Sequence, residues 1–236
     1  MGGLICIVMA APIAVGLAAL GGMLGHTIQA THWMSRQSRS VLSVILLFLP
    51  AAFGAERVAQ REPPKFVVRT AIEVNAPPTE VWRQVVTFLE IPPPTELLFR
   101  SGIAYPIRAE ISGQGPGAIR RCMFSTGAFV EPIEVWDEPR LLSFDVALPA
   151  PLNELTPYGH IEPRHLPGYF ESEHGQFYLT ALPGGKTRLE GTTWFRNAIW
   201  PVGYWRIWSD YIVHRIHLRV LEHIKTEVEG VGVTGK

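Results

Sequence analysis

Asp210, His214 and His217 stand four and three residues apart. On a helix turning about 100° per residue they fall within an arc of about 60°. Tyr211, Leu218 and Leu221 flank that stripe on one side, and Val213, Val220 and Ile224 on the other. A polar stripe inside an apolar helix surface is costly unless each member has a partner. A histidine near its ordinary pKa of about 6.5, beside a carboxylate, can hold or move a proton at neutral pH. Two readings are open. Either the stripe meets a polar group of a bound molecule, as ligand contact or acid–base, or Asp210 accepts from His214 and both are satisfied in the core.

A second group comprises His160, His165, Tyr169, Glu171, Glu173 and His174. Imidazole and carboxylate together suit zinc. The spacing, His-x4-His with a third histidine nine residues on, fits no zinc motif, so no metal is expected. Regular alternation in a strand puts Glu171 and Glu173 on one face and His174 on the other. The group reads as the lining of a cavity mouth.

Arg121, beside Arg120 and Cys122, is a further cavity candidate. Cys122 itself reads as a small core residue, with no base at a spacing that would make it a nucleophile. Glu131 and Glu134 face opposite ways on a strand and read as solvated or ion-paired. Trp194, Phe195, Trp200, Tyr204, Trp205 and Trp208 crowd one short stretch. They suit a pocket lining, a membrane-interface belt or plain core packing.

The elements that must position these groups can be read from pattern. Phe66 to Val74 reads as a strand. Ala76-Pro-Pro-Thr-Glu80 opens a helix whose apolar face is Val81, Trp82, Val85, Val86, Phe88 and Leu89, closed by Pro92-Pro93-Pro94. Strands follow at 104–112 and 118–126, around the turn Gly113-Gln-Gly-Pro-Gly117, and then at 129–136 and 141–148. Residues 149–168 hold five prolines and read as a long irregular loop. A hairpin at 169–182 and 187–197 precedes a long helix from about Pro201 to Glu229. The order is α+β: a curved antiparallel sheet around a terminal helix.

The 236 residues are 47% hydrophobic and 18% charged, with mean hydropathy +0.15. The distribution is uneven. Residues 1–55 carry no charge but Arg36 and Arg39, whereas the rest holds 21 acidic against 19 basic residues, a net charge of −2. A surface so mixed lacks the concentrated basic face that nucleic acid requires. Two cysteines form no disulfide framework.

Gly3 to Gly25 runs 23 residues without a charge, enough to cross a hydrocarbon core of about 30 Å. Ala10, Ala14, Ala18 and Gly22 form a small-residue stripe that suits a helix partner in the bilayer. Val41 to Ala55 is a shorter apolar segment, read as a second span making a hairpin with the first. With Arg36 and Arg39 ahead of it and Ala52-Phe-Gly-Ala55 behind, it also has the form of a signal-peptide h-region and cleavage site. Residues 1–60 are thus expected to anchor the chain, 61–65 to link, and 66–230 to fold as the soluble domain. Arg57, Arg61, Lys65 and Arg69 place that domain in the cytoplasm by positive-inside counting, and a bacterial inner membrane is the expected location. The start, almost directly in apolar sequence, leads us to expect either further membrane helices upstream in related proteins or a truncated start.

Ile72-Glu-Val-Asn-Ala-Pro-Pro-Thr-Glu-Val-Trp82 resembles the opening strand and helix of the START-like SRPBCC superfamily. Trp136-Asp-Glu-Pro-Arg-Leu-Leu-Ser-Phe144 resembles its central hairpin, and Gly185-Lys-Thr-Arg-Leu-Glu-Gly-Thr-Thr193 its penultimate strand. The resemblance covers about 66–229. It implies a helix-grip fold with an apolar cavity beneath the last helix, so the expected partner is a hydrophobic small molecule: a lipid, isoprenoid or polyketide-like compound. It implies no single chemistry, since such domains bind, cyclise or scaffold. A cyclase or dehydratase working through Asp210, His214 or His217 is the alternative, and a membrane interaction module a third. No cofactor is expected.

Overall fold

The computed structural model describes residues 4–30, 63–147, 154–156, 159–161 and 168–231. The apolar segment at 41–55, His165 and the side chain of His160 lie outside the described residues. The chain divides into a unit at Cys6–Glu62 and one that comprises Met1–Ile5 and Pro63–Lys236.

Helix α1 (Leu4–Ala30), in the first unit from Cys6 onward, runs unbroken through Pro12. Its stretch Ile7–Thr27 is long and apolar enough to cross a membrane by length and composition. Val15, Leu17, Leu20, Met23 and Leu24 are all exposed, so apolar side chains face outward around much of its circumference.

The second unit is built on nine strands and three helices among the described residues. In chain order they are β1 (Lys65–Val74), α2 (Pro78–Val86), α3 (Leu97–Arg100), β2 (Pro106–Ser112), β3 (Ile119–Phe124), β4 (Gly127–Asp137) and β5 (Leu141–Asp145). Then come β6 (Glu154–Thr156), β7 (Gly159–Ile161), β8 (Phe170–Leu182), β9 (Lys186–Asn197) and α4 (Val202–Val231). Seven strands form one antiparallel sheet in the order β1-β9-β8-β5-β4-β3-β2, and β6 pairs with β7 alone. Edges β1 and β2 both touch α4. One helix can reach both edges of a seven-stranded sheet only if the sheet curls around it. This is the helix-grip arrangement of START-like domains, as the resemblance implied.

Local chemistry sets the corners. Gly113, Gly115 and Gly117 have φ of 92°, 81° and 89°, a region where a Cβ is strained, so the β2–β3 turn needs its glycines. Helix α2 ends sooner than its apolar face suggested. Thr87 takes an extended conformation and its N–H donates to Arg83 O. Phe88 then pairs with Ala109 of β2 as a bridge and Leu89 is exposed, so the chain leaves the helix to join the sheet before the prolines are reached. At the other end, α4 runs through Gly230 to Val231.

The main core lies between the sheet, α2 and the C-terminal half of α4. Val81, Val85, Leu221 and Ile224 are fully buried there, with Trp82 almost so. Each such side chain contributes about 1.5–3 kcal/mol relative to exposure. A smaller cluster, Val68, Phe195 and Val213, closes the far end beneath the first half of α4.

Candidate functional site

Between those two clusters the domain encloses a cavity of about 200 Å³. Phe88, Phe124, Phe129, Phe144, Phe170 and Phe177 line it, and Ile212, Val213, Ile216, His217 and Val220 of α4 roof it. The aromatic wall comes from alternation on curled strands, which turns every second side chain inward. Gly191 belongs to the wall as well. A Cβ there would stand 3.8 Å from His217, Leu221 and Phe177, so the glycine leaves open space where any larger side chain would intrude.

Two polar fixtures interrupt the apolar lining. The first is Arg120 with Glu131, directly opposed across β3 and β4. Both are buried, 1% and 6% exposed, and their side chains form an ion pair. Arg120 Nε also donates to Val86 O at 3.3 Å. Its guanidinium carbon lies 5.5–5.6 Å from the ring centres of Phe88, Phe144 and Phe177, a cation–π cage on three sides. Burial pushes the Glu131 carboxyl above the usual carboxylate range, against the pull of Arg120. Burial also drives the Cys122 thiol, on the same strand face as Arg120, up to about 12, with Glu131 adding to the shift. That thiol stays protonated at neutral pH and is no nucleophile.

The second fixture is His217. Its Nε2 stands 2.7 Å from Thr193 Oγ1 and its Nδ1 3.2 Å from Thr70 Oγ1. Thr70 Oγ1 in turn meets His214 Nδ1 at 2.7 Å. Thr193, His217, Thr70 and His214 therefore form one hydrogen-bonded chain running from the cavity wall along the helix. Burial first, and the nearby His214 second, bring His217 down to about 4, so it is neutral at pH 7.

The eight residues that pattern singled out are distributed unevenly. His217 lines the cavity, and His214 reaches it through Thr70. The Asp210–His214 hydrogen bond that the spacing offers is not made: Asp210 Oδ2 accepts from Arg206 Nε at 3.3 Å and Oδ1 is buried without a partner. Tyr211 and Tyr169 are exposed. Trp194 packs edge-on against His174 with ring centres 5.1 Å apart. Arg121 is exposed while Arg120 turns inward, and His165 lies outside the described residues.

A β-bulge corrects another expectation. It lies between Ser172 and His174 of β8, so that Glu171 opposes Arg196 and His174 opposes Trp194. Arg196 and Trp194 share a face of β9. His174 therefore shares the face of Glu171 rather than pointing to the opposite one. Glu173 bonds with Lys65 and Arg196 instead of lining a mouth. The crowded aromatics separate: Phe195 is core and Trp200 is exposed.

The architecture and cavity define a helix-grip α+β fold with an apolar interior. No protein-family model matches the chain, and no curated protein matches it. Among solved structures it is similar to an aromatase/cyclase from a Streptomyces species, with 16% identity over 70% of this chain and 94% of that one, TM-score 0.45. It is also similar to norcoclaurine synthase from Thalictrum flavum, with 14% identity over 72% and 96%, TM-score 0.44. A Nitrosomonas europaea protein stands at 12% identity over 71% and 96%, TM-score 0.45. These likenesses concern the chain path and carry nothing about ligand or reaction.

Proposed function

We propose that the domain binds a hydrophobic small molecule in this cavity, and that α1 holds it at a membrane. The observation that carries the reading is the phenylalanine-lined space with two polar fixtures, each already neutral as a unit. Apolar walls supply affinity and a few placed polar groups fix orientation. Because Arg120 and Glu131 compensate each other and His217 is uncharged, a neutral ligand with a hydroxyl or carbonyl fits better than an ion. Size narrows the class. A cavity near 150 Å³ holds one benzene ring, so about 200 Å³ suits one or two rings or a short isoprenoid rather than a two-chain lipid. Tethering by α1 would keep the cavity near membrane-partitioned compounds at high effective concentration.

Titration of the full chain in detergent with 1-naphthol, a neutral two-ring probe, tests this. Saturable binding that disappears in Gly191→Leu is expected. Binding that is absent, or that is unchanged in the variant, overturns it.

The acid–base alternative has one observation in its favour, the hydrogen-bonded chain from Thr193 to His214. A turnover assay would separate the two, because His217→Gln can still hydrogen-bond but holds no transferable proton. Retained binding with lost turnover would select the enzyme.

A further inference from the structure

On the face of the sheet away from α4, Glu134, Asp145 and His174 bring two carboxylate oxygens and a ring nitrogen within 4.8 Å of one another. They come from β4, β5 and β8, which are neighbours in the sheet. Both outer strands are bulged where they supply the group: β4 between Ile133 and Val135, and β8 between Ser172 and His174. Bulges re-aim single side chains, and here two of them aim at one point.

The distances have a specific meaning. His174 Nδ1 stands 3.4 Å from Glu134 Oε2 and 3.5 Å from Asp145 Oδ1. A charge-assisted N–H to carboxylate bond would be about 2.7–2.9 Å, and one N–H cannot serve two acceptors well. Two donors bound tetrahedrally at about 2.0–2.1 Å from a zinc ion, however, stand about 3.3–3.4 Å apart. The other ring nitrogen is held as well. His174 Nε2 lies 3.0 Å from Ser143 Oγ. That contact holds the ring with Nδ1 turned towards both carboxylates, where its lone pair can reach a cation bound between the three groups. Orientation of a ligating imidazole through its second nitrogen is the usual supporting contact in metal sites.

We propose that Glu134, Asp145 and His174 bind a divalent ion of the zinc class, with solvent completing the coordination. One imidazole with two carboxylates favours such an ion over calcium or magnesium, which prefer oxygen alone. Phe144 and Gly175, next in sequence to two of the ligands, line the cavity, and so does His174 itself. The ion therefore staples three strands at the cavity wall.

Calorimetric titration of the full chain in detergent with zinc chloride at pH 7 tests the site, with cobalt absorption and tryptophan fluorescence as second readouts. Trp194, 5.1 Å from His174, is the reporter. One equivalent of zinc is expected. His174→Ala, and Glu134→Gln with Asp145→Asn, should each lose at least about 100-fold in affinity while circular dichroism stays unchanged. Ser143→Ala should lose about 10–100-fold. Absence of zinc binding in the unaltered chain, or zinc binding undiminished in His174→Ala, overturns the proposal.

Discussion

The two halves of α4 do different work. Its C-terminal half is packed solid: Leu221 and Ile224 are fully buried against α2 and the sheet. Its N-terminal half, through Ile212, Val213 and Ile216, covers an open space instead. The same helix therefore provides stability at one end and room at the other, and Arg120 with Glu131 and His217 mark the border. A domain of this size can leave a cavity beneath one half because the other half already supplies the core.

Substitutions at the border should have the largest effect. Arg120→Ala leaves Glu131 buried without its partner and should cost about 3–5 kcal/mol in denaturant unfolding. A loss near zero would mean that the pair is solvated.

Next comes the contrast between the halves. Leu221→Ala opens a hole in packed core and should cost about 2–5 kcal/mol. Ile216→Ala, beside space already empty, should fall at or below about 2 kcal/mol. Equal losses would erase the distinction.

The pH dependence follows from His217. Its folded pKa, about 4, lies below the unfolded value of about 6.5. The unfolded chain therefore takes up the proton first as pH falls. Stability from keeping this side chain neutral is complete above about pH 6.5 and is lost towards pH 4, by up to about 3 kcal/mol. His217→Gln, which does not titrate, should flatten that part of the profile; an unchanged slope would assign the loss elsewhere.

The smallest effect should be at the surface. Asp210→Asn removes a half-exposed contact with Arg206 and should change stability by less than about 1 kcal/mol.

The elements were largely legible because alternation and helical spacing are local signals. Val81, Trp82 and Val85 announce α2, and His217 announces itself as a polar break in an apolar helix face. What was missed depends on register. Arg120 meets Glu131 only because β3 and β4 pair as they do, eleven residues apart through a turn. A signal was nevertheless present: if Cys122 is core, period two turns Arg120 inward and Arg121 outward. Glu134, Asp145 and His174 could not be grouped, because a bulge shifts the phase of a strand without altering its composition. Helix α2 likewise ends at Thr87 because the next residue, Phe88, pairs with Ala109 of the sheet, a tertiary choice that propensity does not carry.

Organic extraction of the full chain purified from membranes, followed by mass spectrometry, would reveal what the cavity holds. The unaltered chain should release a near-stoichiometric, neutral, apolar compound, and Gly191→Leu, which fills the cavity, should release none. A chain that yields nothing, or the same compound in the same amount from both proteins, would contradict the proposed binding.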